Sequence, residues 1–305
     1  MTKPRLLVIG GSGFVGARVV AAATTAGYRV TYTYGRAPLA LPLPAYPVAL
    51  HEADGRLEAC LAQVRPQIVL YCAAPLGSQD LPLQWHVNVG GVQRTLAVLR
   101  AQRPPPLFIY VSTNAVFGGG QGPYAESAVP DPTARQDRYR HYAVTKALGE
   151  QVTLGDWANS VVARTSFVDG YTLLGTLSAR LAGLVEQLRA GQPVARFADR
   201  YLSPTLVDTL VSALLELMVP DFTYRGVLHL AGQDRVNDYQ YGQTLARHLG
   251  IPAELIIPDN LAYHAELRGT PVDSSLATTF TQHLLRTPLL GIREQFRVLF
   301  PVELS

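Results

Sequence analysis

The order of apolar runs predicts an α/β fold: a doubly wound parallel sheet with a smaller, mixed α/β C-terminal lobe. Three observations carry this. Short apolar runs alternate with longer helical patterns through the first half of the chain. Two of the runs, QIVLYCA (67–73) and LFIYVS (107–112), are continuously apolar, as strands buried on both faces must be. Glycines crowd the junction between the first strand and the first helix.

Each element has its own signal. RLLVI (5–9) reads as the first strand, FVGARVVAAATTAG (14–27) as a helix closed by Gly27, and YRVTYTY (28–34) as the second strand. Residues 37–47 hold four prolines and read as a loop, followed by a short strand at 48–50 and a helix at 56–64. After the 67–73 strand, a helix over 83–102 is stopped by Pro104, Pro105 and Pro106. The 107–112 strand leads through a Gly/Pro-rich loop to a helix at 137–154, and SVVART (160–165) is the sixth strand. Beyond Thr165 the pattern loosens: a helix near 177–190, a strand near 193–197, a helix at 205–218, a strand at 226–231 and a helix at 239–250. Residues 1–165 are therefore expected to form a Rossmann-type dinucleotide domain. Residues 166–305 form a substrate lobe, with segments near 200–231 packing back on the sheet.

Bulk properties narrow the function. The 305 residues suffice for a large core. A net charge of +3 without a basic cluster argues against nucleic acid as a partner. No apolar run is long enough to cross a membrane, and the LLVI run after Lys3 is too short for a secretory signal. Cys60 and Cys72 read as free thiols of a reducing compartment. The expected location is the cytoplasm. His51, His86 and His141 lack ligand spacing, so no metal site is expected.

VIGGSGFVG (8–16) spaces Gly10, Gly13 and Gly16 as GxxGxxG, after a strand and at the opening of a helix. A pyrophosphate needs a tight turn, close backbone approach and free helix N–H groups, and this placement supplies all three. A P-loop is excluded because Ala17 and Arg18 follow Gly16, and a nucleophile elbow because Phe14 stands two after Ser12. Gly10, Ser12, Gly13, Phe14, Val15 and Gly16 are the expected loop contacts. The second strand ends Tyr32, Thr33, Tyr34, Gly35, Arg36, without the carboxylate that would accept from an NAD ribose. Arg36 is either a ligand for a 2′-phosphate or a solvated surface residue; the first makes NADP(H) the preferred cofactor, with NAD(H) still open.

Lysine is rare here: Lys3 and Lys146 are the only two, against twenty-four arginines. Tyr142 and Lys146 lie four apart in a helical segment and share a face. A compact ammonium lowers the cost of ionising a phenol, about 4 kcal/mol near pH 7, and its three donors also reach a ribose diol; a guanidinium forks differently. An exposed Tyr–Lys pair on a solvated face is the plainer alternative. The neighbouring VSTNAVFGG (111–119) sets Ser112, Thr113 and Asn114 at the carboxyl end of a buried strand, where such folds bind ligands.

The chain resembles the extended short-chain dehydrogenases/reductases, and within them the dTDP-4-dehydrorhamnose reductase branch. The match runs in order over nearly the full length: GGSGFVG (10–16), PQIVLYCAA (66–74), VNVGGVQRTL (87–96), YVSTNAVFGG (110–119), YAES with Pro130 (124–130), YAVTKALGE (142–150), VVARTSFVDG (161–170), LSPTLVDTL (202–210), VLHLAG (227–232) and TPVDSSL (270–276). The resemblance implies Thr113 as hydroxyl partner, Tyr142 as proton donor and Lys146 as its activator and ribose anchor. It implies Ala73 and Ala74 beside the cofactor and Asp54 near the adenine. Asn114, Phe117 and Ser166 fall to the substrate side, and Arg200, Tyr201 and Arg268 are either sugar-nucleotide phosphate contacts or surface residues. The implied reaction is NADPH-dependent reduction of a nucleotide-linked 4-keto-deoxysugar, and a homodimer is left open. Departures from the branch bear on the substrate: Asn114 replaces an acidic residue, PLGSQDLP (75–82) follows Ala74, and ADRYLSPT (198–205) carries Arg200 and Tyr201. Two alternatives stand beside this reading, a sugar-nucleotide epimerase/dehydratase and a non-catalytic, cofactor-binding regulatory subunit.

Overall fold

Seven parallel strands form the central sheet of the computed structural model, which describes residues 3–301. In chain order the first part runs β1 (Arg5–Ile9), α1 (Phe14–Thr25), β2 (Arg29–Tyr34), β3 (Ala45–Pro47), α2 (Arg56–Val64), β4 (Ile68–Tyr71), α3 (Leu81–Trp85), α4 (Gly91–Leu99), β5 (Leu107–Thr113), α5 (Arg140–Asp156) and β6 (Ser160–Thr165). The second part runs β7 (Val168–Asp169), α6 (Ala179–Arg189), β8 (Val194–Phe197), β9 (Tyr201–Leu202), β10 (Thr205–Leu206), α7 (Val207–Glu216), β11 (Gly226–His229), β12 (Val236–Asn237), α8 (Asp238–His248), β13 (Ile256–Asp259), α9 (Thr279–Leu284) and α10 (Ile292–Leu299). The sheet order is β11-β6-β5-β4-β1-β2-β3. The direction of winding reverses between β1 and β4, and that switch point is where open α/β sheets bind ligands.

Strand periodicity decides which helices cover which face. Leu6 and Val8 of β1 pack with Val19 and Val20 of α1 and Leu210 and Leu214 of α7. Leu7 and Ile9 point the other way, against Leu57 and Leu61 of α2 and Val92 and Leu96 of α4. With both faces covered, the strands read as unbroken apolar runs. β11 pairs with β6, so residues 226–229 complete the sheet although α6, β8 and α7 intervene. A further core, built from Leu181 and Leu184 of α6, Tyr241 and Leu245 of α8, Ile256 of β13 and Phe296 of α10, lies in the C-terminal part.

The structure departs from the expected elements in three places. The third strand lies at 45–47, inside the segment read as a proline loop, and not at 48–50. It is the outer strand of the sheet: the missing donor of Pro47 faces away from the ladder, and Pro44, just before the strand, takes part through its carbonyl, which accepts from the Tyr32 N–H at 3.2 Å. The helix expected over 83–102 is broken into α3 and α4 by a π turn at His86–Gly90. The Tyr71 hydroxyl causes the break: it donates to the Val87 carbonyl at 2.5 Å. Gly91 leaves it room, since a Cβ there would lie 2.2 Å from that oxygen. Finally, α5 starts at Arg140 rather than 137, because Asp137 accepts from the Tyr139 N–H and turns the chain into the helix.

Candidate active site

The glycine turn sits at the switch point. Gly10 has φ +82°, and a Cβ there would fall 2.6 Å from the Ala73 backbone; at Gly16 it would fall 2.3 Å from the Gly10 carbonyl. These two glycines are required by close packing of the chain on itself. Gly13 differs: its missing Cβ faces little, the nearest atom being the Gly10 carbonyl at 3.3 Å. It is the N-cap of α1, no side chain caps that end, and the first turn holds no acidic residue. The N–H groups of Phe14, Val15 and Gly16 therefore open a cradle that the positive end of a twelve-residue helix favours for an anion. The end of β2 pins the turn: Gly10 donates to the Thr33 hydroxyl at 3.0 Å and Gly11 to the Thr33 carbonyl at 2.9 Å. Ser12 is half-buried on the same turn. Ala73 backs Gly10, and Ala74 after it is exposed. Arg36 is exposed just past β2, with no side-chain hydrogen bond or ion pair among the described residues. Asp54 is engaged locally, accepting from the Arg56 N–H at 3.0 Å and facing the Arg56 guanidinium at 3.1 Å.

Thr113, Tyr142 and Lys146 gather where β5 ends against α5. Tyr142 is buried, and burial pushes its phenol up to about 12, with the neighbouring Thr113 hydroxyl drawing it partly back. Lys146 is 2% exposed. Its ammonium donates to the Val111 carbonyl at 2.6 Å and lies 3.8 Å above the Tyr110 ring. Burial pulls its pKa down to about 7, while Glu150 and Cys72 oppose that pull. Cys72 also approaches the glycine turn, its thiol 3.7 Å from the Gly10 carbonyl. It thus joins the two halves of the site. The pair differs in one respect from the simple four-residue spacing. Burial first and Thr113 second govern the phenol, and the ammonium is directed at Val111 and Tyr110. The phenol holds its proton at neutral pH and is equipped as a donor.

The residues assigned to the substrate side take varied places. Asn114 is buried, donating to the Ser274 carbonyl and hydroxyl at 3.1 and 2.9 Å. Phe117 is fully buried and stacked on Tyr124 at 3.9 Å between ring centres, a core position rather than a wall open to ligand. Ser166 is likewise buried: its hydroxyl meets the Ser203 N–H at 3.4 Å and its carbonyl accepts from Thr205 at 2.5 Å, tying β6 to the lobe. Arg200 pairs with Asp238 at 3.3 Å and lies over Phe167. Tyr201 carries the Arg235 guanidinium 3.6 Å above its ring, itself paired with Asp273. Arg268 is exposed, without an ion pair among the described residues.

Sequence reasoning passed over several side chains. Tyr110, under the ammonium, looked like one more strand residue. Glu150 continues the helical stripe of Tyr142 and Lys146 by one more turn, a spacing that was available as a signal. Arg180 forms a close ion pair with Asp169 and stacks 3.8 Å over Phe167, a non-glycine residue at φ +44°. No spacing announces that contact. An open cleft of about 350 Å³ lies at the amino ends of the strands, lined by Lys3, Tyr28, Leu215, Phe222 and Arg286, and contains none of the expected site residues. Among the described residues no group of three or more His, Cys, Asp or Glu gathers as metal ligands, and no helix is long and apolar enough to cross a membrane.

The family model described as RmlD substrate binding domain matches residues 4–300. A dTDP-4-dehydrorhamnose reductase of Mycobacterium tuberculosis is 28% identical over 83% of this chain and 78% of its own length. A probable low-salt glycan biosynthesis reductase of Haloferax volcanii is 27% identical over 82% of this chain and 81% of its own. Among solved structures, the dTDP-4-dehydrorhamnose reductase of Bacillus anthracis in complex with NADP superposes with a TM-score of 0.79, covering 98% of this chain and 99% of that one at 17% identity.

Proposed function

We propose that this chain, which belongs to the RmlD substrate binding domain family, is an NADPH-dependent reductase of a nucleotide-linked 4-keto-deoxysugar. One observation carries the reading. A protonated phenol, a hydroxyl and a buried ammonium converge at the carboxyl end of β5, and Cys72 links that ammonium to the uncapped turn before α1. The names of the relatives agree with it.

The cradle fits a dinucleotide. Gly10, Ser12, Gly13, Phe14, Val15 and Gly16 would hold the pyrophosphate, Arg36 the 2′-phosphate and Lys146 the ribose, with Ala73 and Ala74 alongside. When bound, NADPH supplies the hydride. Thr113 polarises the sugar's carbonyl oxygen, and Tyr142 delivers the proton to it as charge develops. Lys146 lies one turn along α5 from Tyr142, on the same helix face. Residues 1–165 bind the dinucleotide and residues 166–305 the sugar nucleotide, with Arg200, Tyr201 and Arg268 offered as phosphate contacts. Two free thiols and a keto-sugar substrate suit the cytoplasm.

The test is NADPH oxidation with a dTDP-4-keto-6-deoxysugar. Turnover that disappears in Tyr142→Phe while NADPH still binds supports the reading. A folded, NADPH-bound protein that reduces no nucleotide-linked keto sugar overturns it. Tightly held, non-exchanging dinucleotide would point to the epimerase/dehydratase alternative.

A further inference from the structure

We propose that Glu150 is a positioning residue for Lys146: clamped by Arg164 and Ser112, its carboxylate supplies the fixed negative charge that keeps the Lys146 side chain cationic where it must serve the dinucleotide. The catalytic consequence rests on the reductase reading above; the electrostatic claim does not.

The geometry is specific. Glu150 lies one helical turn beyond Lys146 on α5 and is 2% exposed. The Arg164 guanidinium, reaching across from β6, approaches both of its oxygens, with Nε at 3.0 and 3.2 Å and Nη2 at 2.8 Å. Ser112 of β5 donates to the same carboxylate at 2.5 Å. Three elements thus lock one buried carboxylate one helical turn from one buried ammonium. A buried ion pair is weak evidence for a stabilising role, because desolvation offsets the attraction, so the arrangement asks for another reason.

The groups packed around Lys146 isolate Glu150 as that reason. α5 contributes Tyr142 and Glu150, β5 Tyr110, and the residue just past β4 Cys72; behind them Tyr71 packs on Tyr110, and Ser112 and Arg164 hold Glu150. Burial holds Tyr71 and Tyr110 far up, and Tyr142 and Cys72 at about 12, so all four are neutral near pH 7. Glu150 is the anion that remains, and Arg164 fixes its orientation.

The chain's two lysines make the test direct. In protein carrying [ε-13C]lysine, Lys146 and Lys3 give two signals, and the exposed Lys3 is the internal control. Glu150→Gln is expected to lower the Lys146 midpoint by about one to three pH units and leave Lys3 unmoved. The double variant E150Q/R164M removes both charges and leaves no buried guanidinium unpaired. Its thermal stability should return toward that of the native protein while its Lys146 midpoint stays low. In turnover, the alkaline limb of kcat/KM should move to lower pH in step. A Lys146 midpoint in the double variant equal to the native one overturns the proposal, since Glu150 would then serve only to neutralise Arg164. A double variant that does not fold overturns it too, because the pair would be a requirement of the core. Should the protein reduce no keto sugar at all, the functional reading falls and the titration still decides this one.

Discussion

Replacing Lys146 by methionine tests whether the site is held at a cost to the fold. The ammonium is buried, and its pKa falls from 10.5 to about 7. That drop corresponds to roughly 5 kcal/mol of preference for the uncharged amine inside the protein. In the unfolded chain the lysine keeps its proton up to pH 10.5; in the folded chain it releases it above about 7. Between those values the unfolded state binds more protons, so the lysine's contribution to stability rises with pH. From pH 7 to pH 9 the rise amounts to about 2 kcal/mol. Methionine has similar length and no charge, and Lys146→Met removes this dependence. Urea unfolding of both proteins at pH 6, 7, 8 and 9 reads it out. The variant's stability relative to the native protein should be greatest at or below pH 7 and shrink by about 2 kcal/mol by pH 9. Parallel curves across that range would refute the claim that a charged lysine is buried at a cost.

Other substitutions separate binding from folding. Tyr142→Phe should lower turnover about 10²- to 10⁴-fold and reduce stability by only about 1 kcal/mol, checked by single-turnover kinetics and thermal melting. An undiminished rate would remove the phenol from the chemistry. Arg36→Ala should weaken NADPH binding about tenfold or more and leave NADH unchanged, measured by fluorescence titration; equal losses for both would exclude a 2′-phosphate contact. Gly16→Ala forces a Cβ to 2.3 Å from a backbone oxygen and should destabilise by about 1–3 kcal/mol as well as abolish dinucleotide binding. Gly13→Ala meets nothing closer than 3.3 Å and should weaken binding with a stability loss of at most about 1 kcal/mol, so melting and titration together sort the two glycines.

The sheet was legible because burial on both faces leaves a strong apolar signature. The runs at 5–9, 107–112 and 160–165 coincide with β1, β5 and β6 to within a residue. The glycine turn was legible because its spacing answers a steric need. β3 was not, because an edge strand with prolines resembles a loop. Nor was the π turn, whose cause is a hydroxyl on Tyr71, sixteen residues from the carbonyl it takes. Within the site, Tyr142 and Lys146 follow from local spacing. Glu150 continues that spacing, but its clamping by Ser112 of β5 and Arg164 of β6, like the Arg180–Asp169–Phe167 contact, depends on tertiary packing.

Burial also sets the protonation state from which the proposed reaction starts. In water a phenol and an alkyl ammonium titrate at nearly the same pH, 10.0 and 10.5; in this fold the phenol stands at about 12 and the ammonium at about 7. A phenol at 12 is a poor base, since ionising it at pH 7 costs about 7 kcal/mol. As a donor it is well placed. Hydride addition to a carbonyl builds charge on an oxygen comparable in basicity to hydroxide, whose parent water ionises near 15.7, so proton transfer from Tyr142 to that oxygen runs downhill. Oxidation of a sugar hydroxyl would need the reverse transfer. An epimerase or dehydratase cycle begins with such an oxidation; a reductase does not. The forward reduction should therefore be nearly independent of pH from 5 to 6, where Lys146 is still largely charged, whereas oxidation of the product sugar with NADP+ should be slow there and accelerate toward high pH. Oxidation at neutral pH as fast as reduction would mean that the phenol is not held in its protonated form, and the preference for reduction would lose its physical basis.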